Sequence, residues 1–159
     1  MNESVTLRPV EPDDVGIFFG HMQDREAQHM AAFTAPGPAN RTAHDAHWAR
    51  IMADEQVFAR SVLVKGQVAG HIAKFVMFGD AEITYWLDRA YWGRGVATRA
   101  LGLFLLAYTD RPLHARAAKD NLASIWVLEK CGFMLSGDDR GFAHARDAEI
   151  DEVVLVLNA

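Results

Sequence analysis

A glycine-rich segment, Trp92-Gly93-Arg94-Gly95-Val96-Ala97-Thr98, lies where the sequence changes from a strand pattern to a helix pattern. Two glycines allow a tight turn that presents main-chain N–H groups, and the following helix adds the positive end of its dipole. Arg94 and Arg99 add mobile positive charge. The segment therefore favours binding of a pyrophosphate; the alternative is a glycine-rich connection without a ligand.

Two common nucleotide-binding motifs do not fit this segment. A Walker loop ends in Gly-Lys-Ser/Thr, which is absent. A dinucleotide-binding fingerprint needs a third small residue where Thr98 stands, and an acidic residue about 20 positions on, where the sequence has Pro112, Leu113 and His114. A nucleotide-binding regulatory domain is the less favoured reading.

A second motif starts at Asn121 and continues through Ser124, three residues later on the same helix face, to Glu129-Lys130-Cys131-Gly132-Phe133. Together with Gly93-x-Gly95-x-Ala97, it resembles the GNAT superfamily of acyl-CoA-dependent N-acetyltransferases. The Trp-Gly-x-Gly-x-Ala-Thr form is similar to the branch of ribosomal-protein alanine acetyltransferases (Rim-type). The order of elements matches over essentially the whole chain.

The resemblance implies acetyl-CoA as cosubstrate. Main-chain N–H groups of residues 92–98 would hold its pyrophosphate, and the backbone of Trp86 and Leu87 would pair with pantetheine where two central strands splay apart. An N–H group left free by the splay would stabilise the oxyanion of the tetrahedral intermediate. The implied cofactor-binding residues are Trp86, Leu87, Trp92, Gly93, Arg94, Gly95, Val96, Ala97, Thr98, Asn121 and Ser124.

The general acid departs from the family pattern. Many GNAT enzymes carry a tyrosine four residues before the closing Gly-Phe, whereas this chain has Leu128, which has no proton to donate. Ser124, one helical turn away, is the first candidate to polarise the leaving thiolate, and a water molecule is the alternative.

Three residues are candidates for the base that accepts the proton of the amine. Glu82 is preferred because it shares a strand face with Thr84 and Trp86. His71 lies on the neighbouring strand and has an intrinsic pKa suited to base chemistry at neutral pH. His114 is the third candidate; each of these side chains could instead be purely structural.

Covalent and metal-dependent chemistry are not favoured. Cys131, the one cysteine, lies at a predicted helix C-terminus, whose dipole raises the pKa of a thiol. His44 and His47 are spaced as on one helix face, but no further motif completes a metal site, so no metal is predicted.

The elements that position these residues predict an α+β fold in one domain, residues 1–159. A strand at Val5–Arg8 precedes a helix reaching about Gln28 and a second helix over Thr42–Asp54. Strands follow at Phe58–Val64, Val68–Met77 and Ile83–Leu87, then a helix, a strand at Leu113–Ala118, a helix ending at Gly132, and closing strands at Phe133–Leu135 and Val153–Leu157. This order predicts three layers (α/β/α) with a mixed, mostly antiparallel sheet whose splayed central strands form the CoA cleft.

Composition excludes several classes of protein. The 159 residues carry a net charge of -5, which argues against nucleic-acid binding, and the longest uncharged apolar stretch is about half the ~20 residues of a membrane span. The single cysteine and the absence of a leader pattern predict a cytoplasmic location.

The predicted acceptor is a small-molecule amine or a protein N-terminus, and a homodimer is left open. The alternative function is an acyl-CoA-binding sensor or structural module without turnover.

Overall fold

The computed structural model describes residues 4–159. Met1–Glu3 belong to the predicted domain and to the segment in which no leader pattern was found, and they lie outside the described residues. The helices are α1 (Pro12–His21), α2 (Arg25–Ala31), α3 (Arg41–Ala53), α4 (Val96–Ala107) and α5 (Leu122–Lys130). The strands are β1 (Val5–Pro9), β2 (Phe58–Val64), β3 (Gln67–Met77), β4 (Asp80–Leu87), β5 (Leu113–Ala118), β6 (Met134–Ala143) and β7 (Ala148–Leu157). Within residues 4–159, no helix is long and apolar enough to cross a membrane.

The strands form one sheet in the order β1-β2-β3-β4-β5-β7-β6. All neighbours are antiparallel except β4 and β5, which run parallel and pair only at Glu82 with His114 and Ile83 with Ala115. Beyond Ile83 the rest of β4 has no partner on β5. The predicted mixed sheet with splayed central strands is confirmed.

Side-chain alternation along the strands separates two helical layers. On one face, Ile72 and Ile83 pack into the main hydrophobic core with Leu101 and Phe104 of α4. On the opposite face, His71 contacts aromatic residues of α1 and α3. The predicted three-layer arrangement is therefore present.

The predicted first helix is wrong in one respect, because it is divided in two. α1 ends at His21, and α2 begins after Asp24, whose carboxylate accepts a hydrogen bond from the Ala27 N–H at 3.0 Å. This N-cap supplies an acceptor for a helix start within residues 21–31, a stretch that contains neither proline nor glycine.

The two closing strands extend much further than predicted. Residues 136–141, with sequence Ser-Gly-Asp-Asp-Arg-Gly, have turn-like composition but continue β6 after a register shift between Leu135 and Gly137. β6 is an edge strand exposed to solvent along most of its length, so polar residues and glycine cost little there.

Candidate active site

The glycine-rich segment leads directly into α4. Gly93 and Gly95 have φ values of +72° and +75°, in the left-handed region that favours glycine, and a Cβ atom on either would meet nothing within 4 Å. Gly95 is the N-cap of α4, and no side chain caps this helix. The first intrahelical bond joins the Arg99 N–H to the Gly95 carbonyl at 3.2 Å. The N–H groups of residues 96–98 precede that bond and point out of the helix end, where an anion is favoured.

Side chains around this loop hold its shape. A guanidinium nitrogen of Arg94 donates to the Ala90 carbonyl at 3.1 Å, and the guanidinium lies 5.2 Å from the centre of the Tyr91 ring. The indole N–H of Trp92 donates to the Leu87 carbonyl at 3.2 Å. This last bond ties the loop to the end of β4, at the splayed part of the sheet.

Trp86 and Leu87 lie at the free end of β4, which is the part of the strand that pairs with β3 but not with β5. Leu87 is buried, and its carbonyl already accepts the bond from Trp92. The indole Nε1 of Trp86 is buried and has no hydrogen-bond partner within residues 4–159. Both residues therefore lie where β4 has separated from β5, and the Leu87 carbonyl has a protein partner.

Asn121 connects the start of α5 to the other helical layer. As N-cap, its Oδ1 accepts a hydrogen bond from the Ser124 N–H at 3.3 Å, and its Nδ2 donates to the Met30 carbonyl of α2 at 3.2 Å. The capping role agrees with the sequence motif. The bond to α2 could not be read from the sequence, because it joins positions 91 residues apart.

Ser124 has a partner that the sequence analysis missed. The hydroxyls of Ser124 and Tyr85 lie 3.0 Å apart, within hydrogen-bond distance. Burial raises the pKa of Tyr85, so that its phenol stays protonated at neutral pH. The sequence feature that could have indicated Tyr85 is the period-two pattern of β4. This pattern places Tyr85 with Ile83 and Leu87 on the face that packs against α4 and α5.

Leu128 and Cys131 are parts of the structural framework of α5. Leu128 is 2% exposed and packs in the main core. The Cys131 thiol lies 3.7 Å from the Thr98 carbonyl, and burial raises its pKa. The thiol is therefore protonated at neutral pH, as expected for a residue without a nucleophilic role.

Glu82 lies on the opposite face of β4, in a charged cluster. It is 4% exposed, and its carboxylate is 3.4 Å from Nε of Arg116 on β5. The same guanidinium donates to Asp139 of β6 at 3.0 Å and to Glu152 of β7 at 2.9 Å. One arginine thus joins carboxylates from three strands beside the point where β4 and β5 separate.

The other two candidate bases differ from Glu82 in environment. His71 is 9% exposed, and its ring centre lies 4.8 Å from those of Phe18 and Trp48. Burial lowers the pKa of His71 to about 3, with a smaller contribution from neighbouring histidines. His114 pairs with Glu82 in the strand register and has its Nδ1 buried without a partner in the described part of the chain.

The two histidines of α3 have structural surroundings. The ring Nε2 of His44 lies 2.9 Å from the Val15 carbonyl, and burial lowers the pKa of His47. Among residues 4–159, no group of three or more His, Cys, Asp or Glu side chains is arranged to hold a metal ion.

Solved structures share this arrangement of strands and helices. A protein named probable acetyltransferase is 25% identical with a TM-score of 0.78, over 99% of this chain and 94% of its own. RimJ from Mycobacterium smegmatis, in complex with CoA-disulfide, is 20% identical with a TM-score of 0.79, over 98% of this chain and 82% of its own. The self-immunity acetyltransferase MccE, in complex with acetyl-CoA and AMP, is 20% identical with a TM-score of 0.79, over 99% and 94%. At 20% identity, the last two show a common fold.

A comparison with proteins of curated function gave no match to the sequence. The family model described as "Acetyltransferase (GNAT) domain" matches residues 4–134, most of the chain. The resemblance noted from the two motifs is thereby confirmed, and the chain belongs to the GNAT family of N-acetyltransferases, whose cosubstrate is acetyl-CoA.

Proposed function

We propose that this enzyme transfers the acetyl group of acetyl-CoA directly to a primary amine, with both substrates bound together. The observation that carries the proposal is the separation of β4 from β5 after Ile83, with the α4 N-terminus beside it. In the proposed complex, residues 92–98 hold the pyrophosphate, and Trp86, Leu87 and Asn121 line the pantetheine arm. A main-chain N–H group of β4 without a strand partner stabilises the oxyanion.

The amine is proposed to enter from the face that carries Glu82. The cluster around Arg116 holds three carboxylates against one guanidinium, an excess of negative charge that favours a cationic acceptor. An ammonium group must lose a proton before its nitrogen can attack the thioester. The substrate class is therefore an amine that is protonated in solution and deprotonated at the site.

Glu82 is the preferred base, acting directly or through one water molecule. His71 is a poorer candidate because an imidazole with a pKa of about 3 holds a proton weakly at neutral pH. Glu82→Gln, which keeps the shape of the side chain, is expected to lower kcat by roughly 10²-fold or more. Glu152→Gln is the matched control, because it also loses a partner of Arg116 but lies on β7. Equal losses in the two variants would assign Glu82 to the ion-pair cluster alone.

A thiol-release assay over a panel of amines tests the proposed reaction. The panel includes peptides with free N-termini, polyamines, aminoglycosides and amino acids, with mass spectrometry of the product. Acceptor-dependent release together with an acetylated amine supports the proposal. Tight acetyl-CoA binding without release for any member of the panel would favour the sensor alternative instead.

A further inference from the structure

The hydrogen bond between Tyr85 and Ser124 joins the two walls of the cleft. Tyr85 lies two positions beyond Ile83, the last residue of β4 that pairs with β5. Ser124 is in the first turn of α5, the helix that follows β5. Their hydroxyl oxygens lie 3.0 Å apart, so this contact crosses the region where main-chain pairing between the strands has ended. The pair is therefore located where the thioester sulfur of a bound acetyl-CoA is expected.

The donor in this hydrogen bond follows from the chemistry of the two groups. A phenol is far more acidic than an aliphatic alcohol and is the better hydrogen-bond donor. A serine hydroxyl rotates freely and donates only one hydrogen, which a neighbouring acceptor can capture. If Tyr85 donates to Ser124, the hydrogen of Ser124 is left for another acceptor. Leu128, buried in the core, offers no competing hydroxyl from α5.

We infer that Tyr85 is a positioning residue for acetyl transfer, whose hydroxyl donates to Ser124 Oγ and directs the serine hydrogen to the departing sulfur of CoA. The inference rests on the proposed function and on Ser124 as the first candidate to polarise the leaving thiolate. When the tetrahedral intermediate collapses, the C–S bond breaks and its electron pair stays on sulfur. Ser124 donates a hydrogen bond to this thiolate, which later takes its proton from solvent. Tyr85 gains and loses no proton.

The surroundings of Tyr85 agree with this role. A donor must keep its hydrogen throughout turnover, and burial holds the Tyr85 phenol in its protonated form at neutral pH. Besides Ser124, the titratable group that influences Tyr85 is Cys131, itself a thiol with a raised pKa. Both neighbours are uncharged at neutral pH, so neither pulls the phenol hydrogen away from Ser124.

Steady-state kinetics of Tyr85→Phe provide the first test. We expect kcat to fall by roughly 3- to 10-fold with the KM for acetyl-CoA unchanged, because the ring still packs and one hydrogen bond is lost. Tyr108→Phe is the matched control, since it removes a tyrosine hydroxyl from the end of α4. In a Ser124→Ala background, Tyr85→Phe should have no further effect on kcat. Full kcat in Tyr85→Phe, a change in KM alone, or an undiminished effect without Ser124 would overturn the inference.

A titration of bound CoA provides a test that needs no acceptor. In a Cys131→Ala background, which has no protein thiol, the ultraviolet absorbance of the CoA thiolate is followed against pH, with desulfo-CoA as the blank. We expect the midpoint for bound CoA to lie below that of free CoA by roughly one pH unit, and to rise in both Tyr85→Phe and Ser124→Ala. A midpoint unchanged by Tyr85→Phe would overturn the inference. Failure of every amine in the panel would count against the proposed acceptor class and leave this measurement valid.

Discussion

Gly70 on β3 and Trp86 on β4 approach so closely that a Cβ atom on Gly70 would lie 2.1 Å from the Trp86 carbonyl oxygen. No real Cβ contact is that short, and the opposing atoms belong to main chain, which cannot rotate away. The absence of a side chain at Gly70 therefore sets the position of the free end of β4.

Gly70→Ala is expected to displace β4 at Trp86 and Leu87. We expect a loss of about 1–3 kcal/mol or more in unfolding free energy, measured by chemical denaturation, and weaker acetyl-CoA binding in the protein that remains folded. Gly102→Ala is the control: Gly102 lies inside α4 with nothing within 4 Å of its Cβ position, so alanine should stabilise by about 0.5–1 kcal/mol. Normal stability of Gly70→Ala would show that the strands can separate there without cost.

A comparison of Gly95→Val with Gly79→Val separates the effect of backbone strain on stability from the effect of a side chain on acetyl-CoA binding. The added side chain projects into open space beside the α4 N-terminus, where the pyrophosphate is proposed to lie. Gly79→Val is the control, because Gly79 has a similar φ of +82° and open surroundings in the turn between β3 and β4. Both variants should lose roughly 1–2 kcal/mol of stability from the left-handed backbone, and only Gly95→Val should bind acetyl-CoA more weakly in calorimetry. Equal affinities would place the pyrophosphate elsewhere.

Leu128→Tyr tests whether the usual acid position of the family is usable in this chain. Because Leu128 is 2% exposed in a packed core, a tyrosine is expected to destabilise the protein by about 1–3 kcal/mol and to give no increase in kcat. Thermal unfolding and kcat of the same preparation measure both effects. A faster, stably folded variant would show instead that the phenol reaches the leaving group from α5.

Cys131→Ala should retain most of its activity. The buried thiol has a raised pKa and remains protonated at neutral pH, so it is a poor nucleophile for an acetyl group. Initial-rate plots for the parent enzyme should intersect, as for a ternary complex. Detection of an acetyl group on Cys131 that forms and discharges at the rate of turnover would require a covalent mechanism.

His71 should make the protein less stable in acid. The pKa of His71 is lowered to about 3 in the folded protein from an ordinary value of 6.5, so only the unfolded chain binds this proton between those values. The contribution of His71 to the unfolding free energy is complete above pH 6.5 and falls by about 1.4 kcal/mol for each pH unit below that value. Between pH 6.5 and pH 5, the unfolding free energy of His71→Phe should therefore fall by about 2 kcal/mol less than that of the parent. The exposed His144→Phe serves as the control, and parallel curves for parent and His71→Phe would contradict the prediction.

Apart from the division of the first helix, the sequence predicted the order of strands and helices, because the period of the apolar residues differs between strands and helices and turn residues separate successive strands. The resemblance to the GNAT family also implied one cleft for Trp86, Gly95, Asn121 and Ser124, and the shared acetyl-CoA site stays a prediction. Tyr85 was missed since its partner lies 39 residues away on another element, and pairing across elements depends on packing. The length of β6 was missed for a different reason: an edge strand exposed to solvent does not need an apolar pattern.

The environments of Glu82 and His71 were likewise beyond the sequence. Both residues occupy inward positions of strands, and the difference between them comes from the elements packed above. Arg116 reaches Glu82 from β5, whereas Phe18 and Trp48 enclose His71 from α1 and α3. A strand pattern predicts which face a side chain occupies but not which helix covers it.

The Asn121 side chain has a consequence for redesign of this enzyme. Its Nδ2 is bound to the Met30 carbonyl while its Oδ1 caps the helix that carries Ser124. A segment transplanted from a relative in place of α2 must return a main-chain carbonyl to the same point. A graft that does not do so leaves the amide donor of Asn121 without a partner and loosens the start of α5, the helix that carries Ser124.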